Sequence, residues 1–538
     1  MKLSIESIKS ERSLWEQKGF VLPDYDPAAV REETEKAPQW IHFGAGNIFR
    51  GYIARLADEL IGAGLMKSGV VAADSFDTET ISKIYIPFDD LSLLVGLRAQ
   101  GEKYLRIIGS IGKAVGASEE GHREFRRMAK LPSLQMISFT ITEKGYAAAD
   151  MNGRVLPSVE NDISAGPEAH HSTALGVVSA MLYARFRENA APIALVSMDN
   201  CSRNGDKLRS GVMFIVNGWK DRGLVEEDFV AYVSDSSKVS FPWSMIDKIT
   251  PRPDPSISKA LSDLGVEDME PVITTRKTFI APFVNAEMPE YLVIEDSFPN
   301  GRPPLEKAGV YMTDRPTVDK AEKMKVMTCL NPLHTALAVF GCLLGKVKIA
   351  EEMEDPDLKD LVYKLGYSEG LPVVIDPGII RPEDFLKEVL TERLPNFCLP
   401  DTPQRIATDT SQKVAIRFGE TIKAYEQKGQ ADRLELIPLV LAAWLRYLTG
   451  IDDSGNEMEL SADPMLESLC GVISPAWFGG KEPVDREKVR GILSNKELFG
   501  TDLIKAGLSE KIISFFEDML KGPGAVRSTL RNALEKVK

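Results

Sequence analysis

Two short segments hold the residue types that could do chemistry. The first is Gly44-Ala45-Gly46-Asn47-Ile48-Phe49-Arg50-Gly51, which follows the apolar run Trp40-Ile41-His42-Phe43 and opens the helical pattern YIARLADELIGAGL. Strand, glycine turn and helix in that order make an anion cradle, because the first N–H groups of the helix are free and carry partial positive charge. Gly44 permits a tight turn and Gly46 lets the backbone approach a pyrophosphate. Asn47 lies in the turn, and Arg50 offers a charge-assisted contact to phosphate. The third glycine of G-x-G-x-x-G is replaced by Phe49. A second apolar run, 69–74, ends on Asp74, with Asp77 just beyond. Either carboxylate could accept from the hydroxyls of an adenosine ribose, and it would repel a 2′-phosphate, favouring NAD over NADP. A plain βα turn without a ligand would use the same glycines; the acid-tipped strand favours a cofactor.

The second segment is Glu322-Lys323-Met324-Lys325-Val326-Met327-Thr328-Cys329-Leu330-Asn331-Pro332-Leu333-His334. Hydride transfer involving an alcohol needs a proton donor or acceptor and groups that stabilise a developing alkoxide. A desolvated lysine can exchange the proton, since burial lowers its pKa. Asparagine amides and a neutral histidine supply directed hydrogen bonds. The blander reading is a helix with a solvated lysine face, Asn331 as N-cap before Pro332, and a satisfied histidine.

Around these segments, 538 residues are too many for one ordinary core, so two large domains or three smaller ones are expected. An apolar share of 43% with 27% charged residues belongs to a folded globular chain. A net charge of −14 argues against nucleic acid or an anionic membrane as partner, while leaving room for a local basic pocket. There is no long apolar run and no signal-like N-terminus, so no membrane span is expected and the location is read as cytoplasmic. Five scattered cysteines without a C-x-x-C pair, and five histidines without ligand spacing, imply neither a disulfide framework nor a metal site. The pair His170-His171 reads as part of a polar surface loop.

Short β-branched runs at 40–43, 69–74, 91–98, 104–111, 136–142 and 192–199 alternate with helical patterns, among them 172–189. This predicts a doubly wound, largely parallel sheet preceded by a lead-in helix and loop over 1–38. The Pro/Gly-rich stretch 295–309 reads as a connection, and helical periods dominate beyond it. The expected domains are 1–300 and 301–538, with the active site in a cleft between them.

The segments IHFGAGNIFRG (41–51), SFTITEKGY (138–146), SMDNCSRNG (197–205), FPWSMIDKITP (241–251), EDSFPNGRP (295–303), KVMTCLNPLHTALAVFG (325–341) and RLPNFCLPDTPQRIATDTSQK (393–413) resemble the polyol-specific long-chain dehydrogenase/reductase family. The resemblance implies an α/β Rossmann-type doubly wound domain followed by a mainly α-helical one. It also implies NAD as cofactor and a metal-independent mechanism with a lysine general acid/base. The family's lysine falls on Lys325, with Glu322 a turn before it, and its asparagines and histidine on Asn200, Asn331 and His334. Substrate-pocket residues fall on Asp247, Arg405 and Lys413. Thr142 and Glu143 lie in the segment bordering the nicotinamide.

The resemblance favours reduction of a keto sugar acid, D-fructuronate to D-mannonate. The D-fructose/D-mannitol and tagaturonate reactions are the alternatives within the family, and a non-catalytic nucleotide-binding protein is the alternative outside it. The expected partner is a small sugar acid or polyol; the oligomeric state stays open, a monomer included. One departure stands out: the family spaces its lysine five residues before the asparagine, and Lys325 is six before Asn331. In an unbroken helix Lys325 and His334 would stand about 180° apart, whereas Lys323 would stand about 20° from His334. Either Lys323 is the acid, or the helix is interrupted before Asn331.

Overall fold

The computed structural model describes residues 1–98, 101, 103–150 and 152–537. The chain divides into two compact units, with the boundary between Asp319 and Lys320.

The first unit is organised by six strands: β1 (Trp40–Phe43), β2 (Val70–Asp74), β3 (Ile111–Gly116), β4 (Met136–Phe139), β5 (Ile193–Ser197) and β6 (Val239–Ser240). Every pairing is parallel and the order is β3-β2-β1-β4-β5-β6. β1, β2, β4 and β5 are buried at every residue, which is why they read as unbroken apolar runs rather than alternating ones. One face of the sheet, with Trp40, Val70, Ala72 and Met136, packs on the helix Ala54–Gly62. The other, with Ile41, Val71, Ile137 and Leu195, packs on the helices Glu119–Ala129, Ala174–Glu188 and Asn204–Asp221. Strand order reverses between β1 and β4. The carboxyl ends of these two strands are the place where a doubly wound sheet opens a crevice for a ligand.

Two expected strands belong elsewhere. Ser92–Leu97 and Lys103–Ile108 pair antiparallel in a separate four-stranded sheet with Phe20–Val21 and Phe283–Glu287. Their connection is too short for the crossover that a parallel pair requires. The lead-in is more ordered than expected. It carries the helices Ile5–Ser10, Arg12–Gln17 and Pro27–Lys36, the first capped by the Ser4 side chain and the last by Asp26 with Pro27 in the first turn.

The domain boundary expected at 300 falls later. Tyr311–Thr313 adds in parallel to Tyr291–Glu295, so the chain stays with the first unit past the Pro/Gly-rich stretch. The second unit is helical, with Asn331–Leu343, Pro356–Lys364, Glu420–Gln427, Leu436–Tyr447 and Ser509–Met519 among its elements. Leu436–Tyr447 is buried at all positions, including Arg446, whose guanidinium donates to Met519 O, Thr449 Oγ1, Ile451 O and Asp452 O. The most apolar long helical stretch, Arg315–Leu343, is 78% buried over its apolar window, as a core helix is.

Candidate active-site residues

The glycine turn joins β1 to a helix that begins with a π turn, Phe49–Ile53. Gly44 has φ +110°, and a Cβ there would stand 2.2 Å from the Thr140 carbonyl, so no other residue fits. A Cβ on Gly46 would meet nothing within 4 Å. The turn is therefore closed on the sheet side at Gly44 and open at Gly46, which fits a phosphate cradle. The missing third glycine is supplied two residues late. A Cβ on Gly51 would come 2.8 Å from Val284 Cγ1, so Gly51 does the close packing, and Phe49 is free to stack on His42 at 4.6 Å between centroids. His42 lies beneath the turn between Ser138 Oγ (2.6 Å) and Thr140 Oγ1 (2.8 Å), and burial holds its pKa down to about 3.

The expected phosphate contact of Arg50 is corrected. Its side chain is buried, Nη1 donating to Ala281 O at 2.7 Å and Nη2 to Asn47 Oδ1 at 3.0 Å. Asn47 in turn donates to Pro251 O, so the pair braces the turn from behind. Asp74 ends β2 as expected. Its Oδ1 accepts from Phe76 N (2.8 Å) and Asp77 N (2.9 Å), and burial pushes its pKa up to about 6 against those donors. Asp77 is turned to an internal partner instead: it is buried and its Oδ2 takes the Thr274 hydroxyl at 2.5 Å.

The loops after β4 and β5 present Thr142, Glu143 and Asn200, all exposed. Thr142 has φ +64° and ψ 159°, a region that side chains other than glycine's avoid. Glu143 pairs with Lys207. Asp247 closes the strand Ser244–Asp247 and is buried. The His170-His171 loop is half right. His170 is exposed, but His171 is buried, with Nε2 2.9 Å from Gly166 O.

In the second unit the helical run is interrupted, which is one of the two alternatives the spacing left open. Lys325–Cys329 is a π turn, closed by the Leu330 N–H donating to the Lys325 carbonyl at 3.1 Å. Leu330, at φ −129° and ψ −63°, is the N-cap of Asn331–Leu343. The extra residue taken up by the π turn removes about 100° of rotation, which leaves Lys325 about 80° from His334. The same correction moves Lys323 to about 80° on the other side, so angle alone does not choose between them. Burial does: Lys325 is 1% exposed, whereas Lys323 is partly exposed. The N-cap role expected of Asn331 is corrected too. Leu330 occupies that position, and the Asn331 amide forms no hydrogen bond among the described residues.

His334 lines a small cavity with Arg393, Asn396, Asp401 and the apolar side chains of Ile349, Ala350, Leu394 and Leu399. Its Nε2 makes no hydrogen bond; the nearest carboxylate oxygen, Asp401 Oδ2, is 3.6 Å away. Burial, then Arg417, Arg405, Arg393 and Lys413, hold its pKa down to about 3, so the imidazole is neutral. Arg405 is the most open of these cations and is paired with Asp401. Lys413 donates to the Thr408 carbonyl, and Arg417 to the Thr335 hydroxyl. The sequence reading missed Arg393, Asn396, Asp401 and Arg417. The only signal for the first three was their place inside the segment 393–413.

Known proteins resemble this chain over its whole length. The Mannitol dehydrogenase Rossmann domain matches residues 38–307, and the Mannitol dehydrogenase C-terminal domain matches 317–520. The chain is 51% identical, over 99% of each sequence, to the D-mannonate oxidoreductase of Thermotoga maritima. It is 31% identical, over 86% of each, to the mannitol 2-dehydrogenase of Emericella nidulans. Among solved structures, Pseudomonas fluorescens mannitol 2-dehydrogenase, in ternary complex with NAD and D-mannitol, superposes with a TM-score of 0.71 at 25% identity over the whole of both chains.

Proposed function

The chain belongs to the mannitol dehydrogenase family, and from that premise we propose that it is an NAD-dependent oxidoreductase interconverting D-fructuronate and D-mannonate. The observation that carries the choice of substrate is the electrostatics around His334. In a protein of net charge −14, four cations, Arg393, Arg405, Lys413 and Arg417, act on one neutral histidine whose cavity holds, among the described residues, a single carboxylate, Asp401. A hydroxyl-only polyol has no need of that charge; the carboxylate of a sugar acid does, and arginine meets it with paired N–H donors. The 51% identity to a D-mannonate oxidoreductase supports the same choice.

NAD, when bound, supplies or accepts the hydride at the reacting carbon. The turn at Gly44 and Gly46 would hold its pyrophosphate, and Asp74, at the end of β2, would accept from its ribose hydroxyls. Lys325, buried on its π turn, holds the proton that passes to the carbonyl oxygen in reduction and receives it in oxidation. Asn200 and Asn331 donate to that oxygen as negative charge grows on it. His334, neutral, orients the neighbouring hydroxyl, and Asp247 accepts from another. Arg393 and Arg405, with Lys413, anchor the carboxylate. The five cysteines, all free thiols, favour action in the reducing cytoplasm.

The test is NADH oxidation with D-fructuronate, D-tagaturonate and D-fructose in parallel. The expected result is the highest kcat/KM with D-fructuronate. Preference for D-fructose overturns the sugar-acid reading, and no oxidation with any of the three overturns the dehydrogenase reading.

A further inference from the structure

The loops that follow β4 and β5 are tied together by one carboxylate. Asp199 sits between the last buried residues of β5 and the exposed Asn200. Its Oδ2 accepts from Ile141 N at 2.9 Å and its Oδ1 from Thr142 N at 3.0 Å. Tyr146, at the far end of the same loop, donates its hydroxyl to Oδ2 at 2.5 Å and accepts at 2.8 Å from Ser197 Oγ, which is fully buried. The Asp199 carbonyl is held as well, by Asn204 Nδ2 at 3.0 Å and Cys201 N at 2.9 Å. Asn204, itself fully buried, goes on to bond Ser244 through N, O and Oγ, at the start of the strand that ends in Asp247.

Each loop holds a non-glycine residue at positive φ, one three residues after β4 and the other at the start of the helix that follows β5. Thr142 is at φ +64° with extended ψ, and Arg203 is left-handed at φ +52°. Non-glycine residues hold such geometry only when their surroundings over-determine it, and such sites cluster where function needs a fixed backbone. Here the over-determining group is visible. Two charge-assisted bonds from adjacent N–H groups to one carboxylate fix the peptide that enters Thr142, and a third bond anchors the loop's other end.

We propose that Asp199 is a positioning residue for the reaction. Through its carboxylate it locks the Thr142–Glu143 loop to Asn200, so that the cofactor-side contacts and the amide that stabilises the alkoxide are held in one frame. This rests on the reading of Asn200 and of the 141–146 loop given above. Asp199 need not touch the substrate; it acts through its neighbours.

The experiment compares Asp199→Asn, Tyr146→Phe and Asn200→Ala with the wild type. In the Asp199→Asn protein one side-chain acceptor becomes an N–H donor facing a backbone N–H, so the peptide at Thr142 is released without loss of volume. Three readouts are taken. Amide hydrogen exchange of segment 139–147 in the protein without cofactor should quicken in Asp199→Asn and, to a lesser degree, in Tyr146→Phe. kcat for D-fructuronate reduction should fall about 100-fold, the cost of a misplacement near 1 Å. The isotope effect from NADH deuterated at the transferred position should rise, with the melting temperature kept within a few degrees. A merely structural role would lower activity with the active fraction and leave the isotope effect unchanged.

If Asn200→Ala collapses turnover while Asp199→Asn keeps wild-type kcat and exchange, the proposal is overturned and the dehydrogenase reading stands. If Asn200→Ala is fully active, the role of Asn200 fails first and the proposal with it. Should Asp199→Asn not fold, Tyr146→Phe decides. Faster exchange with a raised isotope effect supports the proposal, and wild-type values of both overturn it.

Discussion

Phe49–Ile53 and Lys325–Cys329 are both five-residue π turns, the first overlapping and the second inside one of the two segments that carry the chemistry, and they do different work. In the first, all five residues are buried and the inserted residue brings Gly51 against Val284, so the turn serves packing and leaves the phosphate cradle to the backbone ahead of it. In the second, the inserted residue carries a lysine into a buried position and restores its relation to His334. The surroundings differ in sign too. The sheet unit presents acids beside its ligand-facing loops, Asp74, Glu143, Asp199 and Asp247. The helical unit gathers Arg393, Arg405, Lys413 and Arg417 around a neutral histidine. The same backbone device thus serves packing behind a glycine turn in one unit and the burial of a lysine in the other.

The sharpest way to break this contrast is at the lysine. Lys325→Ala should lower kcat by about 10²–10⁴ with NADH affinity unchanged by fluorescence titration. Lys323→Ala should stay within about a factor of three of wild type. The reverse pattern would move the acid two residues back along the helix and make the second π turn a packing device like the first.

Next in size is the cation cluster. Arg393→Gln should raise KM for D-fructuronate by about 10–100-fold, the value of a hydrogen bond to a charged group, and affect D-fructose reduction less. An equal loss on both substrates would show that the cluster shapes the pocket rather than reading a carboxylate.

A smaller effect is expected at the acidic side. Asp74→Asn should improve NADPH use relative to NADH by about tenfold, roughly 1.4 kcal/mol. Because burial holds Asp74 at about 6, the wild-type preference for NADH should weaken as pH falls through 6, where the carboxylate is protonated. In the Asn variant that pH dependence should be absent, as ratios of kcat/KM from pH 5 to 8 would show.

The mildest test concerns a buried acid of the helical unit. Glu352 is fully buried, and neither carboxyl oxygen has a hydrogen bond; Gly341 makes room for it, since a Cβ there would come 2.0 Å from Oε1. Burial raises its pKa well above 4.5. Its contribution to stability is therefore fully present below about pH 4.5 and is lost as pH rises from there through the folded-state value. Glu352→Gln carries no such loss. It should melt about 2–4 °C higher than wild type at pH 8, near 1 kcal/mol, and match it near pH 4.5. A constant difference across pH would show that shape, not ionisation, sets the effect.

Much of the first unit was legible because its signals are local. A strand buried on both faces must be continuously apolar, and a turn at φ +110° against a carbonyl must be glycine. What misled were residues whose neighbours come from afar. Arg50 reads as a phosphate ligand until Ala281 O, 231 residues on, is found to occupy it. Asp77 is taken by Thr274 in the same way. The runs at 92–97 and 103–108 look like any parallel strand, and only a short connection and distant partners assign them to a separate sheet. β3, IGKAVG, is too thinly apolar to stand out.

By itself the chain's order of residues determined the dinucleotide turn, the acid-tipped second strand, the helical character of the second half and the six-residue spacing that left either Lys323 as the acid or a break before Asn331. Each is a matter of backbone sterics or of burial along a short stretch. Tertiary structure alone decided which lysine is desolvated, which arginines surround His334, and that Asp199 holds the strained peptide at Thr142. Those depend on which distant groups share a dielectric and a hydrogen bond, and no spacing along the chain encodes that directly.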